Sequence, residues 1–253
     1  MHRRFNVDSI PFNLEQTRQR SFAEQGDDHV QISGPESGDK RFGTIHMILH
    51  GGAQVFQNPK LAMIFRGKGN FLEKERDSYH PQIVALAQEK AWLDDESQMS
   101  WYEELWKPFA EEYIKKDDHL VFADNLHTQK KANFVRKMQE LGGEMCFGPP
   151  NKTEGWQPID CGHLGAVLKT LAKGAFESWS DETDEEGTTN WDKWENKMFS
   201  VSEKRVLVTW WFGEAWTILR PGPFKSPPSP TPTHNKICEH EHQPLEILLR
   251  RGL

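Results

Sequence analysis

Short apolar runs separated by turn residues characterise the first part of the chain. Residues 3–7, 29–33 and 42–49 are apolar or alternate between apolar and polar positions, and clusters rich in glycine, proline and charged residues lie among them. Such bounded runs are typical of strands, so we expect three strands in hairpin succession. A further apolar run covers residues 61–65. Helical and strand patterns alternate after it, which favours a mixed sheet.

Helical periodicity and short strands alternate in the middle of the chain. Apolar residues recur at intervals of three and four over residues 98–116 and 130–141, which predicts amphipathic helices. The apolar runs at 120–123 and 145–147 predict two further strands. Residues 164–179 are predicted to form a long helix. The expected order is therefore three strands, helix, strand, helix, strand, helix.

The pattern divides the chain into four segments. Residues 1–180 contain the predicted sheet and helices and form an α/β core. Residues 181–200 begin with an acidic run, which predicts a solvated loop. The apolar helix in residues 201–220 is shorter than the roughly 20 apolar residues of a membrane span, so we expect it to pack on the core. Residues 221–253 are rich in proline, which predicts a disordered tail.

Composition and net charge limit the classes of protein to which the chain can belong. The 253 residues include no apolar run of membrane-spanning length and only three cysteines, without paired spacing. This favours an intracellular protein with reduced thiols and no membrane partner. The net charge is −7. Because a protein that grips DNA alone usually has a basic face, either the charge is segregated or the main DNA-binding part is missing from the chain.

Three aspartates end or follow apolar runs. Asp8 and Asp124 end predicted strands, and Asp160 follows the strand at 145–147 after a Pro-Asn loop. Singly, each is explained better by a turn or a helix cap than by catalysis. Together they match the carboxyl ends of neighbouring strands, where α/β sheets place their chemistry. Converging carboxylates repel one another unless cations neutralise them, and such hard oxygen ligands suit Mg²⁺ or Mn²⁺.

Three sequence blocks resemble a known family. The segment PPNKTEGWQPIDCG at residues 149–162, followed by Lys169, resembles the PPNxT…QPxDxG…K signature of the DDE superfamily endonucleases. More narrowly, it is similar to the pogo, jerky and centromere protein B branch of the mariner-type transposases. FADN, which ends at Asn125, resembles their second block, and FNVD, which ends at Asp8, resembles their first.

The resemblance covers roughly residues 4–220 and implies a ribonuclease H-like fold, a mixed five-stranded sheet flanked by helices with its first and fourth strands adjacent. It also implies that Asp8, Asp124 and Asp160 are catalytic residues and ligands of two Mg²⁺ or Mn²⁺ ions. Two such ions, about 3.5–4 Å apart, activate a water and stabilise the leaving oxygen of a phosphodiester. The implied function is hydrolysis and strand transfer on DNA in the nucleus, with transposon ends or genomic DNA as partner and a homodimer as a further expectation.

Departures from the family pattern leave an alternative open. Ser9 stands where a Glu is usual, and Gln129 stands where a His is frequent, with His127 two positions earlier. Only seven residues precede Asp8, where the family carries DNA-binding modules. The alternative is thus a domesticated or truncated, catalytically silent protein that uses the fold as an interaction module. A weaker third option is an unrelated α/β nuclease that acts on structured RNA.

Two further groups of residues have candidate functions. Basic residues near the second and third blocks are candidates for contacts with DNA phosphates, and a solvated helix face is their ordinary explanation. These are Lys130, Lys131, Arg136, Lys137 and Lys169. In the tail, Cys238, His240 and His242 lack the paired spacing of a structural zinc site, so a disordered tail explains them better than a metal site.

Overall fold

The computed structural model describes residues 3–13, 43–51, 59–68, 72–148, 158–161 and 163–219. The predicted strand at 29–33, the signature residues 149–157 and the tail at 221–253 with its Cys and His residues lie outside these ranges.

Six strands and seven α-helices make up the described part of the chain. The strands are β1 (Arg3–Phe12), β2 (Gly43–Gly51), β3 (Leu61–Arg66), β4 (Ile83–Gln88), β5 (His119–Ala123) and β6 (Gly143–Phe147). The helices are α1 (Asp95–Trp101), α2 (Lys107–Phe109), α3 (Ala132–Glu140), α4 (Pro158–Cys161), α5 (Leu164–Ser180), α6 (Asn190–Glu195) and α7 (Val201–Ile218).

The strands form one mixed sheet in the order β4-β3-β2-β1-β5-β6. Only β2 is antiparallel to its neighbours, β1 and β3, and the other pairs are parallel. The strand that carries Asp8 therefore lies beside the strand that ends before Asp124, as the ribonuclease H-like expectation requires. The predicted fold class, an α/β mixed sheet of the ribonuclease H-like type, is confirmed.

The predicted number of five strands is wrong, because β4 adds a sixth strand at the edge beside β3. Its sequence, IVALAQ, contains alanine, leucine and glutamine, which favour helices in isolation. Parallel pairing of Leu61–Arg66 with Ile83–Gln88 overrides that preference.

Helices cover both faces of the sheet. On one face, residues 95–114 form a continuous helical segment in which α1 and α2 alternate with two π-helical turns, Tyr102–Trp106 and Ala110–Ile114. Asp94 caps its start, and the left-handed Lys115 ends it. Trp101, Trp106 and Phe134 from this side pack with alternate β1 residues in the main hydrophobic core. The predicted helix at 98–116 is thereby confirmed, although it begins earlier.

The second face carries α4, α5 and α7. The predicted helices at 164–179 and 205–219 are observed as α5 and α7, which pack against each other. Trp211 of α7 lies among Phe176, Trp179 and Trp194 with ring centroids 5.1–5.8 Å apart. The tryptophan cluster is therefore core. Among the described residues, no helix has both the length and the apolar character to cross a bilayer.

The acidic segment 181–200 contains more structure than the predicted loop. Thr183 and Thr189 form an isolated β-bridge, and α6 follows with a capping box between Thr189 and Asp192. Trp194 of α6 is buried. A buried tryptophan and a good cap are enough to order a short helix whose flanking sequence is mostly polar.

Candidate active site

The three predicted site residues lie on one side of the sheet centre. Asp8 is in β1, Asp124 directly follows β5, and Asp160 is in α4. In the parallel β1–β5 pair, Val7 is opposite Ala123. Asp8 and Asp124 are therefore level with each other at the same end of this strand pair.

Backbone groups fix two of the carboxylates. The Ser9 N–H donates to Asp8 Oδ1 at 2.7 Å, and the Asn125 N–H donates to Asp124 Oδ1 at 2.6 Å. The Asn125 side chain donates in turn to the Gly148 carbonyl at 2.5 Å. The loop after β5 is thus tied to the end of β6, and the Asp124 carboxylate is held by its own turn.

Asp8 is influenced electrostatically by both of the other acids. Burial raises the pKa of Asp8, the Ser9 N–H opposes that rise, and the charge of Asp160, a hydrogen bond with Asp160 and the charge of Asp124 add to it. The result is a pKa of about 7. The structure therefore brings Asp8 close to both of the other family aspartates, with Asp160 the stronger influence.

The donor chemistry suits a divalent metal ion. All three candidate ligands are carboxylates, the oxygen donors that Mg²⁺ and Mn²⁺ prefer, and a cation would neutralise the negative charge that raises the pKa of Asp8. Within the described ranges, no group of three or more His, Cys, Asp or Glu side chains could hold a metal ion as placed. The assignment of the three acids as metal ligands thus stays a prediction.

A buried amide connects the elements that carry the acids. Asn6 Nδ2 donates to the Phe122 carbonyl of β5 at 3.1 Å, and the Ile159 N–H of α4 donates to Asn6 Oδ1 at 2.8 Å. Nearby, α5 approaches β1 so closely that a Cβ on Gly165 would be 2.9 Å from Ile10 Cγ2. Together, these contacts hold α4 and α5 against β1.

Ser9, the first departure from the family pattern, lies on the opposite face of the sheet from Asp8, because successive strand residues point to opposite faces. Its Oγ is 2.7 Å from His46 Nδ1, and the His46 ring packs 4.8 Å from that of Trp101. Burial lowers the pKa of His46 to about 3, against the opposing effect of the Asp8 backbone. His46 is therefore neutral and supplies no positive charge to the acids.

Gln129, the second departure from the family pattern, is a buried residue. Gln129 is 1% exposed, and its side-chain nitrogen and oxygen have no hydrogen-bond partner among the residues that the structure describes. His127 is exposed in the same turn. A buried amide without hydrogen bonds lowers the free energy of unfolding, so we expect Gln129 to destabilise the loop that follows Asp124.

The predicted DNA-contacting residues differ in their environments. Lys131 pairs with Asp95 at 3.4 Å and Lys137 pairs with Glu103 at 2.5 Å, while Arg136 donates to Asn133 at 3.0 Å. The expectation that Lys130 and Lys131 lie on the helix is wrong, because α3 begins at Ala132. The physical reason is the turn at residues 127–130 that closes before the helix starts.

The remaining two candidates for DNA contact are Lys130 and Lys169. Lys130 Nζ is 5.8 Å from the centre of the Phe147 ring, at the end of β6. Lys169 is exposed on α5, the helix that follows Asp160. Whether any of the five basic residues contacts DNA stays a prediction.

Sequence reasoning missed two features of the structure, the first of them beside the site. One is the Asn6 contact, for which a polar residue between Phe5 and Val7 in an otherwise apolar strand was the available signal. The other is a buried ion pair between Glu75 and Arg205 of α7, which no local spacing indicates because the partners are 130 residues apart.

Comparisons with known proteins give two matches. A family profile described as "DDE superfamily endonuclease" matches residues 53–203, more than half of the chain, including Asp124 and Asp160. A search of curated proteins finds no match. A solved structure entitled "Crystal structure of a pre-cleavage Mos1 transpososome" aligns at 11% identity with a TM-score of 0.42 and covers 86% of this chain and 54% of that one. The chain thus spans about half the length of the transpososome protein that it matches.

Proposed function

The chain belongs to the DDE superfamily endonuclease family, and from that membership we propose that it is a transposase-type catalytic domain that hydrolyses DNA phosphodiesters and transfers strands. The observation that carries the proposal is the placement of the acids. Val7 of β1 pairs with Ala123 of β5, so that Asp8 and Asp124 are level, and α4 brings Asp160 into interaction with Asp8.

In this proposal Asp8, Asp124 and Asp160 hold two Mg²⁺ or Mn²⁺ ions. Bound ions would supply an activated water and stabilise the leaving oxygen. The chain's own groups orient the ligands: the Ser9 N–H holds one oxygen of Asp8, and the Asn125 N–H holds one oxygen of Asp124. The Ser9 N–H opposes the rise in the pKa of Asp8 that burial causes, and so favours the charged form of Asp8, which is the form that binds a cation.

We place the DNA backbone along α5 and the end of β6. The first eleven residues of α5, LGAVLKTLAKG, include Lys169 and Lys173 and no acid, in a chain whose net charge is −7. Lys130 lies beside Phe147 at the end of β6. Phosphate contacts of this kind position nucleic acid without reading sequence. Lys131 and Lys137 each pair with a carboxylate.

The test is metal-dependent nicking of supercoiled plasmid DNA, with Asp124→Asn and Asp160→Asn as variants. Each should lower the rate by about 100-fold or more, because a lost ligand costs at least as much as a lost supporting contact. Asp77→Asn, in an exposed turn, is the matched control and should cleave at the wild-type rate. Circular dichroism should show that all variants fold. Unchanged nicking by Asp160→Asn would remove the assignment.

A catalytically silent interaction protein is the second candidate function. Two observations favour it: Gln129 is buried and unpaired where the family frequently has a His, and the described residues include no ready group of metal ligands. Calorimetric titration with Mn²⁺ separates the two candidates. Binding that Asp160→Asn abolishes supports the enzyme, and a lack of binding supports the silent protein. Nuclear localisation and a homodimer stay predictions from the family.

A further inference from the structure

One side chain contacts the backbone beside two of the three acids and lies two residues from the third. Asn6 is two residues before Asp8 in β1. It donates to the carbonyl of Phe122, two residues before Asp124, and it accepts from the N–H of Ile159, one residue before Asp160. Asn6 is 3% exposed. Its amide therefore joins the three separate elements on which the acids are carried.

Pairing of β1 with β5 does not need this side chain, because the two strands already pair in register over five residues. The position of α4 does need tertiary support. An α-helix of four residues has too few internal hydrogen bonds to be stable alone, and the Ile159 N–H is in the first turn, where a helix leaves its donors unsatisfied. Asn6 satisfies that donor from the sheet.

A buried amide also has a purely structural explanation, since polar groups inside proteins are normally hydrogen-bonded. The two partners of Asn6 distinguish the explanations. If the amide served only to satisfy its own polar atoms, hydrogen bonds within the β1–β5 strand pair would be enough. Instead, Asn6 Oδ1 accepts from the N–H of Ile159 in α4, the residue next to Asp160. Supporting residues of this type set the orientation of functional groups.

We propose that Asn6 is a positioning residue that sets the location of Asp160 relative to Asp8 and Asp124. The inference rests on the proposed function. Asn6 itself does not touch metal or DNA, and acts by holding α4 to β1 and β5. Loss of its acceptor frees the start of α4, so that the third carboxylate is no longer fixed at the distance at which it interacts with Asp8.

The experiment compares Asn6→Ala with wild type in two measurements. The first is hydrogen exchange of the Ile159 amide and of the peptide that contains α4, without any metal. The variant should lose protection there while β5 and β6 remain protected. The second is calorimetric titration with Mn²⁺, in which the half-saturating concentration should rise by about 10–100-fold, as for other supporting residues of metal sites.

Thr44→Val is the matched control. Thr44 is also buried in the sheet, and its hydroxyl donates to the Ala91 carbonyl at 2.6 Å, away from the acids. It should lower stability without changing α4 exchange or Mn²⁺ affinity. If Asn6→Ala does not fold, Asn6→Leu preserves the volume and removes both hydrogen bonds.

The outcomes distinguish a failure of the positioning role of Asn6 from a failure of the proposed function. Unchanged α4 exchange in the Asn6 variant, or Mn²⁺ affinity within twofold of wild type, overturns the positioning role while leaving the DDE site intact. Absence of Mn²⁺ binding by the wild-type protein overturns the proposed function, and the exchange measurement then decides alone whether Asn6 holds α4. Loss of affinity to the same extent in Thr44→Val would show a general effect of destabilisation and overturn the inference.

Discussion

The buried ion pair between α7 and the segment before β4 should be a major determinant of stability. Arg205 Nε donates to Glu75 Oε2 at 2.9 Å, and its Nη2 contacts Glu75 Oε1, so the pair is bidentate. Tyr79 also donates to Glu75 Oε2, at 2.6 Å. The side chains of Arg205 and Glu75 are only 9% and 8% exposed. Removal of one partner therefore leaves a charge that water cannot reach.

Glu75→Leu should lower the free energy of unfolding by about 3–5 kcal/mol, the cost of leaving a buried charge without its partner. Arg205→Met should cost a similar amount, because it leaves the buried Glu75 carboxylate without its counter-ion. The double variant should recover most of the loss, since a buried pair replaced by apolar residues of similar volume is often neutral. Urea unfolding followed by tryptophan fluorescence measures all three. Additive losses in the double variant, or single losses under about 1 kcal/mol, would refute the reasoning.

The same pair predicts a dependence of stability on pH. Burial alone would raise the pKa of Glu75, but hydrogen bonds from Arg205, Tyr79 and Ser202 overcome it and hold the pKa below its ordinary value. A carboxyl whose pKa is lower in the folded protein stabilises it above the unfolded value, about 4.3, and loses that contribution as pH falls through the folded value. The free energy of unfolding of wild type should therefore fall relative to that of the double variant below about pH 4, so that the double variant becomes the more stable of the two.

Other consequences of the structure can be measured by urea unfolding and DNA binding. Gly174→Ala should stabilise the protein by about 0.5–1 kcal/mol, because no described atom outside its own stretch of helix lies within 4 Å of the new Cβ. By contrast, Gly213→Ala should cost about 1–3 kcal/mol, because its Cβ would collide with the His80 ring. Lys115→Gly should stabilise by about 1 kcal/mol, since Lys115 has a left-handed φ of 56° at a helix end; an equal loss would contradict this. Lys169→Glu should weaken DNA binding and reduce its salt dependence by about one phosphate contact, because Lys169 is exposed on α5.

The sequence predicts those parts of the fold in which local pattern and tertiary environment agree. The helix at 164–179 is amphipathic and observed as α5, and the runs ending at Ala123 and Phe147 are observed as β5 and β6. It fails at β4, where residues that favour a helix are held extended by parallel pairing with β3. It also fails at α6, which depends on the burial of Trp194 by a distant helix.

The candidate site shows the same division. The identity of the three acids follows from short motifs, but their mutual effects depend on contacts that span the chain. Asp160 influences the pKa of Asp8 only because α4 is packed on β1, and the residue that joins them, Asn6, is 153 positions from Ile159. No periodicity in the sequence encodes such a contact. The motif predicts which residues are involved, and the packing of the layers determines how close they are.

The two departures from the family pattern, Ser9 and Gln129, differ in how directly they bear on the candidate site. Position 9 points to the face that carries His46 and Trp101, whereas Asp8 points to the face that carries α4. A serine there alters packing under α1 and removes nothing from the side on which Asp8 meets Asp160. Gln129 differs, because it lies in the turn at residues 127–130 that follows Asp124 and buries an amide with no partner in the described part of the chain. Of the two substitutions, the one at Gln129 therefore bears more directly on whether the site is active.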